Sequence, residues 1–491
     1  MFFPKSSFAA LLLAMPISQV TATFGGFPTS PITTDLVSTK LRYARSMGGY
    51  PTEVKTDLHS IPHANTPRSE RIMGRDAGSV ISEGVRLSND FWNYFWDSDK
   101  QHYVSKRQTS ETLGDFNGTL LWGYVVGTQG LLEAQAQSGE FSDEITAALG
   151  TNGIGKFFQS SLNAYTAWVY PGTDKDAYYD DNAQVAIAFL RAYELGLPDK
   201  AMYLTQAQKV IDFLSGGWDE TNGGVTWHYG NAGRNAVTTS LTAVAMLRLV
   251  KLGQVTPGMS KSQLMAFAVK CIEWVLTELQ VDSGLIKDGP NDAQIYTYNT
   301  GLAIHAISLM NELNPSYNGG AKARTLVNAA LDRSKGLFDT SVTNAEHRYW
   351  WDNVFFCQLL VEGLAEYVRV FGNDNKALAS QIKTEFQRHT DYIMTYLKDG
   401  SDGLYWRGLE LYTINEDTLA AYKTLTGDTT RQPKYAQEER YYDAASKALP
   451  IAQRGMAKTV IGQGGVARIL LIAARDEKET FLYNLYIASA R

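Results

Sequence analysis

Histidine and runs of basic residues are scarce in this sequence, and each scarcity argues against a class of function. The seven His residues are scattered and show none of the paired spacings that zinc sites use. No run of Lys and Arg stands out, and the formal net charge is −6. We therefore expect no metal site and no nucleic-acid partner.

Common cofactor and nucleophile motifs are missing as well. No Gly-rich phosphate loop leads into Lys and Ser or Thr, no dinucleotide fingerprint follows a strand, and no nucleophile-elbow Ser is evident. We expect no cofactor. Only two cysteines occur, Cys271 and Cys357, and both lie in apolar helical patterns. This placement is compatible with buried free thiols or with a disulfide.

No stretch is both long and apolar enough to span a membrane. Lys5 precedes an apolar run from Phe8 to Ile17, and Val20-Thr21-Ala22 resembles a signal-peptidase site. We therefore expect residues 1–22 to be a signal peptide and the protein to be secreted, acting extracellularly or at the cell wall. The C-terminal residues lack the spacer and hydrophobic tail of a lipid-anchor signal, so we expect no membrane anchor.

The chain divides by composition at Ala77. Residues 23–76 are rich in Thr, Ser, Pro and Gly with little periodicity, which predicts an irregular polar leader. Helical patterns then run to about Ala474, so residues 77–491 form the predicted catalytic domain. One glycosylation sequon occurs within it, at Asn117.

Two kinds of helix alternate along this domain. Apolar helices follow Asn117, Asn182, Asn235, Asn299 and Asn353, and a sixth begins near Gln463. Amphipathic helices are predicted near 79–96, 154–169, 202–215, 261–279, 321–335 and 378–397. A helix that is apolar all round is buried, and a striped one lies outside. Six such pairs predict an all-α (α/α)6 toroid, with an open solenoid as the alternative.

In a toroid the inner helices all begin at the same rim. The loops that lead into them are aromatic and Gly-rich, and residues 216–228 are predicted to form a short hairpin. Packing between helices would explain any single aromatic residue there. Together the loops predict an aromatic-lined cleft, with polar side chains gathered at its mouth: Asp115, Asn117, Asp180, Asp181, Arg234, Asn235, Tyr298, Asn299, Asp352 and Asn353.

The most informative stretch is Tyr178 to Gln184, which reads Tyr-Tyr-Asp-Asp-Asn-Ala-Gln at the start of an apolar helix. Asp is a favoured N-cap, and anions interact well with a helix N-terminus. One cap needs only one Asp, however, and here there are two. Glycoside hydrolysis needs two carboxyl groups, one to protonate the leaving oxygen and one to attack or to activate water.

Four motifs in order carry a family resemblance: residues 179–184, 223–227, 234–238 and 296–301. Together they resemble glycoside hydrolase family 76, the endo-α-1,6-mannanases of bacteria and fungi. The resemblance implies an (α/α)6 barrel, a retaining mechanism without metal, and α-mannan or a mannose-containing oligosaccharide as the partner. It also implies that Asp180 is the nucleophile and Asp181 the general acid/base.

We expect sugar contacts from the side chains that surround this pair at the rim. The candidate substrate-binding residues are Tyr179, Asn182, Trp227, Arg234, Asn235, Tyr298, Asn299, Trp351, Asp352 and Trp406. The alternatives are another toroid enzyme, such as an uronyl hydrolase, a sugar epimerase or a terpenoid cyclase, and a non-catalytic glycan-binding protein. We expect the protein to be a monomer.

Overall fold

The computed structural model describes residues 75–105, 120–169, 175–435 and 440–475. The signal segment, nearly all of the leader, and the candidates Asp115 and Asn117 lie outside these ranges. The helices are α1 (Ala77–Phe95), α2 (Leu121–Ser138), α3 (Ser142–Leu149), α4 (Tyr179–Glu194), α5 (Lys200–Ser215), α6 (Ala236–Lys251), α7 (Lys261–Trp274), α8 (Thr297–Leu313), α9 (Gly320–Leu331), α10 (Val354–Phe371), α11 (Lys376–Tyr392), α12 (Glu416–Thr426), α13 (Ala444–Lys447) and α14 (Val460–Ala473).

Six of these helices form a closed inner ring. In order they are α2, α4, α6, α8, α10 and α14; each packs on the next, and α14 packs back on α2. The inner helices are buried nearly all round, as α8 shows, where every residue from Thr297 to Met310 is buried. The predicted (α/α)6 toroid is therefore confirmed, and the open-solenoid alternative is wrong.

Five outer helices lie where the sequence predicted them. They are α1, α5, α7, α9 and α11, and each packs against inner helices. A wide π turn extends α7 over Val275–Leu279, and another extends α11 over Ile393–Leu397. An amphipathic stripe on each helix drives this packing, because its apolar side can be buried only against the inner ring.

The prediction of a helix near 154–169 is wrong. This segment contains a 3₁₀ turn, Ile154–Phe157, and an antiparallel pair of short strands, β3 (Phe158–Gln159) and β4 (Ala164–Tyr165). Asn163 adopts a left-handed backbone conformation with φ 52°, which a right-handed helix cannot include. The short helix α3 packs on α2 instead.

A short hairpin precedes every inner helix, although the last of these helices follows only after an insertion. The first is formed by β1 (Trp96–Asp97) and β2 (His102–Tyr103). The six backbone pairs that define the hairpins are Trp96–Tyr103, Phe158–Tyr165, Trp218–Val225, Gln280–Ile286, Phe338–Trp350 and Lys398–Tyr405. The hairpin predicted within residues 216–228 is confirmed. At its turn Gly223 and Gly224 have φ values of 71° and 82°, which glycine adopts without strain.

The first N–H of an inner helix is bound by the following hairpin. Leu121, Tyr179, Ala236 and Val354 donate their backbone N–H to the carbonyls of Ala167, Trp227, Asp288 and Arg407, at 2.7–3.0 Å. In α8 the donor is Thr297, and the acceptor is the carboxylate of Asp352, at 2.8 Å. These acceptors occupy equivalent places, two residues after the second to sixth hairpin pairs. We call Ala167, Trp227, Asp288, Asp352 and Arg407 the mouth positions.

The fourth residue of an inner helix secures the hairpin that precedes it. The side chains of Asn182, Thr239, Thr300 and Gln463 accept the backbone N–H of Tyr165, Val225, Ile286 and Tyr405, at 2.7–3.1 Å. Helices α4 and α8 begin slightly earlier than predicted, so Asn182 and Asn299 lie inside their first turns. Asn235 is a true N-cap, and Asn353 directly precedes α10.

At the end of the ring opposite the mouth, charged side chains from the inner helices lie close together. All six inner helices contribute to a cavity there, lined mainly by Arg, Lys and Glu side chains. Arg468 is 2% exposed and donates to Glu362 at 2.7 Å and to Gln129 at 3.0 Å. Burial alone would raise the pKa of Glu362, but the positive charges around it, chiefly Arg468, lower the pKa to about 2.

Cys271 and Cys357 are buried free thiols, so they are not paired with each other. Within the described ranges, no helix has the length and hydropathy needed to cross a bilayer.

Candidate active site

Two adjacent carboxylates, Asp180 and Asp181, lie at the mouth of the ring as the second and third residues of α4. The Oδ1 atom of Asp180 accepts the backbone N–H of Asp181 at 3.0 Å, and Oδ2 accepts the indole N–H of Trp227 at 3.1 Å. Both side chains are half-buried, so they remain accessible from the mouth. The predicted dyad and Trp227 are thus brought together in one place.

The surroundings separate the two carboxyl groups electrostatically. Burial raises the pKa of Asp180, whereas the two N–H donors favour its ionised form. Burial also raises the pKa of Asp181 well above its usual value, and the negative charges of Asp180 and Asp176 raise it further. No hydrogen bond from the described residues offsets this for Asp181. Asp180 is therefore the better anion, and Asp181 is the better acid.

Asp288 is a third carboxyl group at the mouth, and sequence reasoning missed it. Its Oδ1 atom accepts the hydroxyl of Tyr298 and the side-chain amide of Asn299, both at 3.0 Å. Burial raises the pKa of Asp288 to about 6, and its charge in turn raises the pKa of Asp180. An alignment of the hairpins would have found it, because Asp288 and Trp227 occupy equivalent mouth positions.

Asp352 is brought to the same mouth, but its carboxylate is already engaged. Its Oδ2 atom accepts both the backbone N–H and the hydroxyl of Thr297, at 2.8 and 3.0 Å. Burial is the main reason that the pKa of Asp352 rises to about 7. Asp352 therefore holds Thr297, the first residue of α8, in place.

Two of the predicted asparagines bond to the backbone. Asn182 accepts the N–H of Tyr165 at 2.7 Å and donates to the carbonyls of Tyr165 and Tyr178 at 2.8 and 2.7 Å. Asn235 caps α6 by accepting the N–H of Thr238 at 3.1 Å. These contacts place both side chains in the framework beneath the mouth.

Tyr179 and Arg234 also make framework contacts. The ring of Tyr179 stacks on Phe213 of the outer helix α5, with centroids 4.5 Å apart. Arg234 donates to the carbonyl of Gly223 at 3.0 Å and pairs with Asp219 at 3.5 Å, so it braces the hairpin turn.

The remaining predicted tryptophans lie in the fifth and sixth hairpins. Trp351 donates its indole N–H to the carbonyl of Gly336 at 2.6 Å, and its ring lies 5.9 Å from that of Tyr296. The ammonium group of Lys458 lies 3.3 Å from the ring centroid of Trp406. That face of Trp406 is therefore covered by a cation, which a sugar would have to displace.

An aromatic wall, which sequence reasoning also missed, borders Asp288. Phe356 lies at its centre, with its ring centroid 4.7 Å from Tyr298, 5.5 Å from Tyr296 and 5.7 Å from Trp122. Because the hydroxyl of Tyr298 donates to Asp288, the wall and the third carboxyl group form one cluster, in which Trp122 is the one partly exposed ring and the other groups are buried. Apolar rings beside carboxyl groups suit the faces and hydroxyls of a sugar.

In the described portion of the chain, no cluster of three or more His, Cys, Asp or Glu side chains is arranged to hold a metal ion. The chemistry that the site itself offers is that of two carboxyl groups with different proton affinities. Such a pair fits acid-assisted cleavage of a glycosidic bond.

Comparison with known families agrees with this chemistry. The family model described as glycosyl hydrolase family 76 matches residues 94–422, which is more than half of the chain. The chain belongs to glycosyl hydrolase family 76. The predicted resemblance is confirmed, and the matched range includes the dyad, Asp288 and the aromatic wall.

Solved structures of family 76 enzymes are similar to this chain. An α-mannanase of family 76 from Bacteroides thetaiotaomicron has a TM-score of 0.59 and 15% identity, covering 83% of this chain and 97% of its own. An inactive α-1,6-mannanase variant from Salegentibacter sp. HEL1_6, solved with α-1,6-mannotriose, has a TM-score of 0.56 and 15% identity, covering 81% and 99%. In that variant two adjacent aspartates are replaced by asparagine. At these identities the likeness shows the fold.

A curated relative is more similar in sequence. The meiotically up-regulated gene 191 protein of Schizosaccharomyces pombe is 28% identical over 417 residues, which cover 80% of this chain and 92% of the relative. The similarity therefore extends over nearly the whole of that fungal protein.

Proposed function

We propose that this protein cleaves α-1,6-mannosidic linkages in mannan with retention of configuration. The observation that carries the proposal is the dyad, in which Asp180 accepts two N–H donors and Asp181 accepts none from the described residues. The Salegentibacter variant, in which two adjacent aspartates are substituted, was solved with α-1,6-mannotriose, and this supports both the residues and the linkage.

The reaction begins with attack on the sugar. Asp180, as the ionised carboxylate, bonds to the anomeric carbon while Asp181 gives its proton to the departing glycosidic oxygen. The product of this step is a glycosyl ester on Asp180, and the leaving sugar carries a new hydroxyl. The indole N–H of Trp227 donates to Oδ2 of Asp180 and so holds the attacking carboxylate in one orientation.

Water completes the cycle. Asp181, now ionised, accepts a proton from water as the water oxygen attacks the anomeric carbon, and the ester bond to Asp180 breaks. Each of the two steps inverts the configuration at the anomeric carbon. The product therefore keeps the α configuration.

The test is to incubate the protein with linear α-1,6-mannan and to follow the first products by proton NMR. We expect shorter α-1,6-mannooligosaccharides, with the α anomer appearing before mutarotation. Mannans linked α-1,2 or α-1,3 provide the matched comparison. A β anomer formed first would overturn retention, and binding without cleavage of any α-mannan would overturn the enzymatic proposal.

Asp288 is expected to bind a sugar hydroxyl in this reaction. Asp288→Asn keeps the shape of the side chain but removes the charge that strengthens such a bond, which contributes about 1.5–3 kcal/mol. We therefore expect kcat/KM on α-1,6-mannotetraose to fall by about 10- to 100-fold. The measurement is steady-state kinetics at the pH optimum.

Asp292→Asn is the control for this variant. Asp292 is exposed in the same loop, where its Oδ1 atom accepts the backbone N–H of Gln294 at 2.9 Å. It should change kcat/KM by less than about threefold, since surface substitutions of this kind have small effects. Equal losses in the two variants would show that loop charge, rather than contact with the sugar, explains the result.

A further inference from the structure

His228 directly follows Trp227, the mouth position whose side chain contacts the dyad. The backbone joins this stretch to the start of α4, because Tyr179 donates its N–H to the carbonyl of Trp227 at 2.9 Å. Tyr179 in turn directly precedes Asp180. Backbone dimensions then place the Cα atoms of His228 and Asp180 at most about 14 Å apart. A short oligosaccharide bound at the dyad can bridge this separation.

The imidazole of His228 is fixed through one of its two nitrogens. Its Nε2 atom lies 2.9 Å from Oδ1 of Asp176. Asp176 is itself held in place, because Oδ2 accepts the indole N–H of Trp168 at 3.0 Å and its carbonyl accepts the N–H of Ala167 at 2.7 Å. The ring of Tyr178 packs edge-on against the imidazole, with centroids 4.7 Å apart. These contacts set the orientation of the His228 ring.

The contact with Asp176 also determines which nitrogen of His228 carries the proton. An ionised carboxylate can only accept hydrogen bonds, so Nε2 is the donor, and Nδ1 of the neutral imidazole is an acceptor. No hydrogen bond from the described residues reaches Nδ1, and the side chain is 20% exposed. His228 therefore presents an oriented, accessible acceptor close to the dyad.

We propose that His228 is a substrate-binding residue, whose Nδ1 atom accepts a hydroxyl hydrogen of the glycan held at the dyad. For the identity of the glycan alone, this role rests on the proposed function. A few fixed polar groups of this kind determine how a ligand lies in its site. Asp176 is a positioning residue here, because it acts through the imidazole. A purely structural role for His228 would need only the contact of Nε2 with Asp176, so the two roles depend on different atoms.

Two substitutions separate these roles, because each keeps a polar group near one nitrogen only. The amide of His228→Gln lies near the place of Nε2, and the amide of His228→Asn lies near the place of Nδ1. Titration calorimetry with α-1,6-mannotetraose is carried out in Asp180→Asn protein, so that no bond is cleaved. We expect His228→Gln to raise Kd about 3- to 12-fold, as for one lost hydrogen bond, and His228→Asn to stay within about twofold.

His347→Gln is the matched control for these variants. His347 is half-buried in the turn of the fifth hairpin, and the same substitution there should leave Kd unchanged. Unchanged binding in His228→Gln would overturn the proposal, and so would a larger loss in His228→Asn than in His228→Gln. Equal losses in the two His228 variants would also overturn it, because they would indicate that the packing of the ring, rather than Nδ1, explains the effect.

Nitrogen NMR of the histidine rings reads the proton on His228 directly and needs no cleavage. The His228 signals are those that His228→Gln lacks. In the free Asp180→Asn protein we expect the proton on Nε2. Adding Asp176→Asn should move the proton to Nδ1 in part of the molecules, because an amide can donate to Nε2. An unchanged proton position in this double variant would overturn the positioning role of Asp176.

The same signals report contact with the glycan. Saturating α-1,6-mannotetraose should shift the Nδ1 signal of His228 in Asp180→Asn protein. If only an α-1,2- or α-1,3-linked mannooligosaccharide shifts this signal, the proposed linkage fails and the sugar-binding role of His228 stands. If none of these glycans shifts the signal, the role of His228 is overturned, whatever activity the wild-type protein shows.

Discussion

Replacing either member of the dyad with asparagine is expected to lower turnover on α-1,6-mannan by at least about 10³-fold. Asp180→Asn removes the carboxylate that attacks the anomeric carbon, and Asp181→Asn removes the proton that the leaving oxygen needs. The measurement is single-turnover and steady-state kinetics on purified variants.

The folded state should tolerate both substitutions. Burial raises the pKa of each carboxyl group in the folded protein. A raised pKa means that the protonated form favours folding, so this contribution is complete below about pH 3.9 and is lost as pH rises through the folded values. At neutral pH the uncharged Asn variants should therefore melt at the same temperature as the wild-type protein or higher. Near-normal turnover in either variant would show that the dyad is a helix-capping motif and not a catalytic pair.

The second large effect is expected at the opposite end of the ring. Arg468→Met should lower the free energy of unfolding by about 3–5 kcal/mol, because it leaves buried Glu362 without its main partner. Arg468 also donates to Gln129 of α2, so the substitution weakens a contact where α14 closes the ring. Urea unfolding followed by circular dichroism gives the measurement.

Two comparisons make this result specific. Lys100→Met breaks an exposed pair with Asp97, 3.5 Å apart, and should cost no more than about 1 kcal/mol. Adding Glu362→Gln to Arg468→Met should recover part of the loss, since the uncompensated charge is then gone. If Arg468→Met costs as little as Lys100→Met, the buried network does not stabilise the ring.

The architecture was predictable because periodicity alone distinguishes inner from outer helices. The exception, residues 154–169, has apolar residues at spacings that a helix could use, but Asn163 turns the chain into a hairpin. The partner that stabilises this hairpin is Asn182, which lies in the next helix. The sequence pattern of residues 154–169 alone could not reveal this hydrogen bond, because its partner lies in another helix.

The position of the dyad was predictable from residue type and order, because Asp180 and Asp181 directly precede an apolar helical run and lie in the first turn of α4. The rest of the site was less predictable where a polar side chain has several possible partners. Asn182 and Asp352 were expected to bind sugar, and in the structure both bond to the protein framework. Asp288 could not be recognised from its neighbours in sequence, because its significance comes from Tyr298, Asn299 and the place of the fourth hairpin in the ring.

The link between each of the first five inner helices and the following hairpin has a consequence for how the side chains at the mouth can vary. At Trp227, Asp288 and Arg407 the carbonyl, rather than the side chain, accepts the helix N–H. A substitution at these positions can therefore change the side chain at the mouth while the same backbone bond is kept. Asp352 differs, because its side chain makes the bond, so changing this residue would remove the bond itself. The backbone link thus survives a change of side chain at Trp227, Asp288 and Arg407, whereas at Asp352 the link depends on the side chain itself.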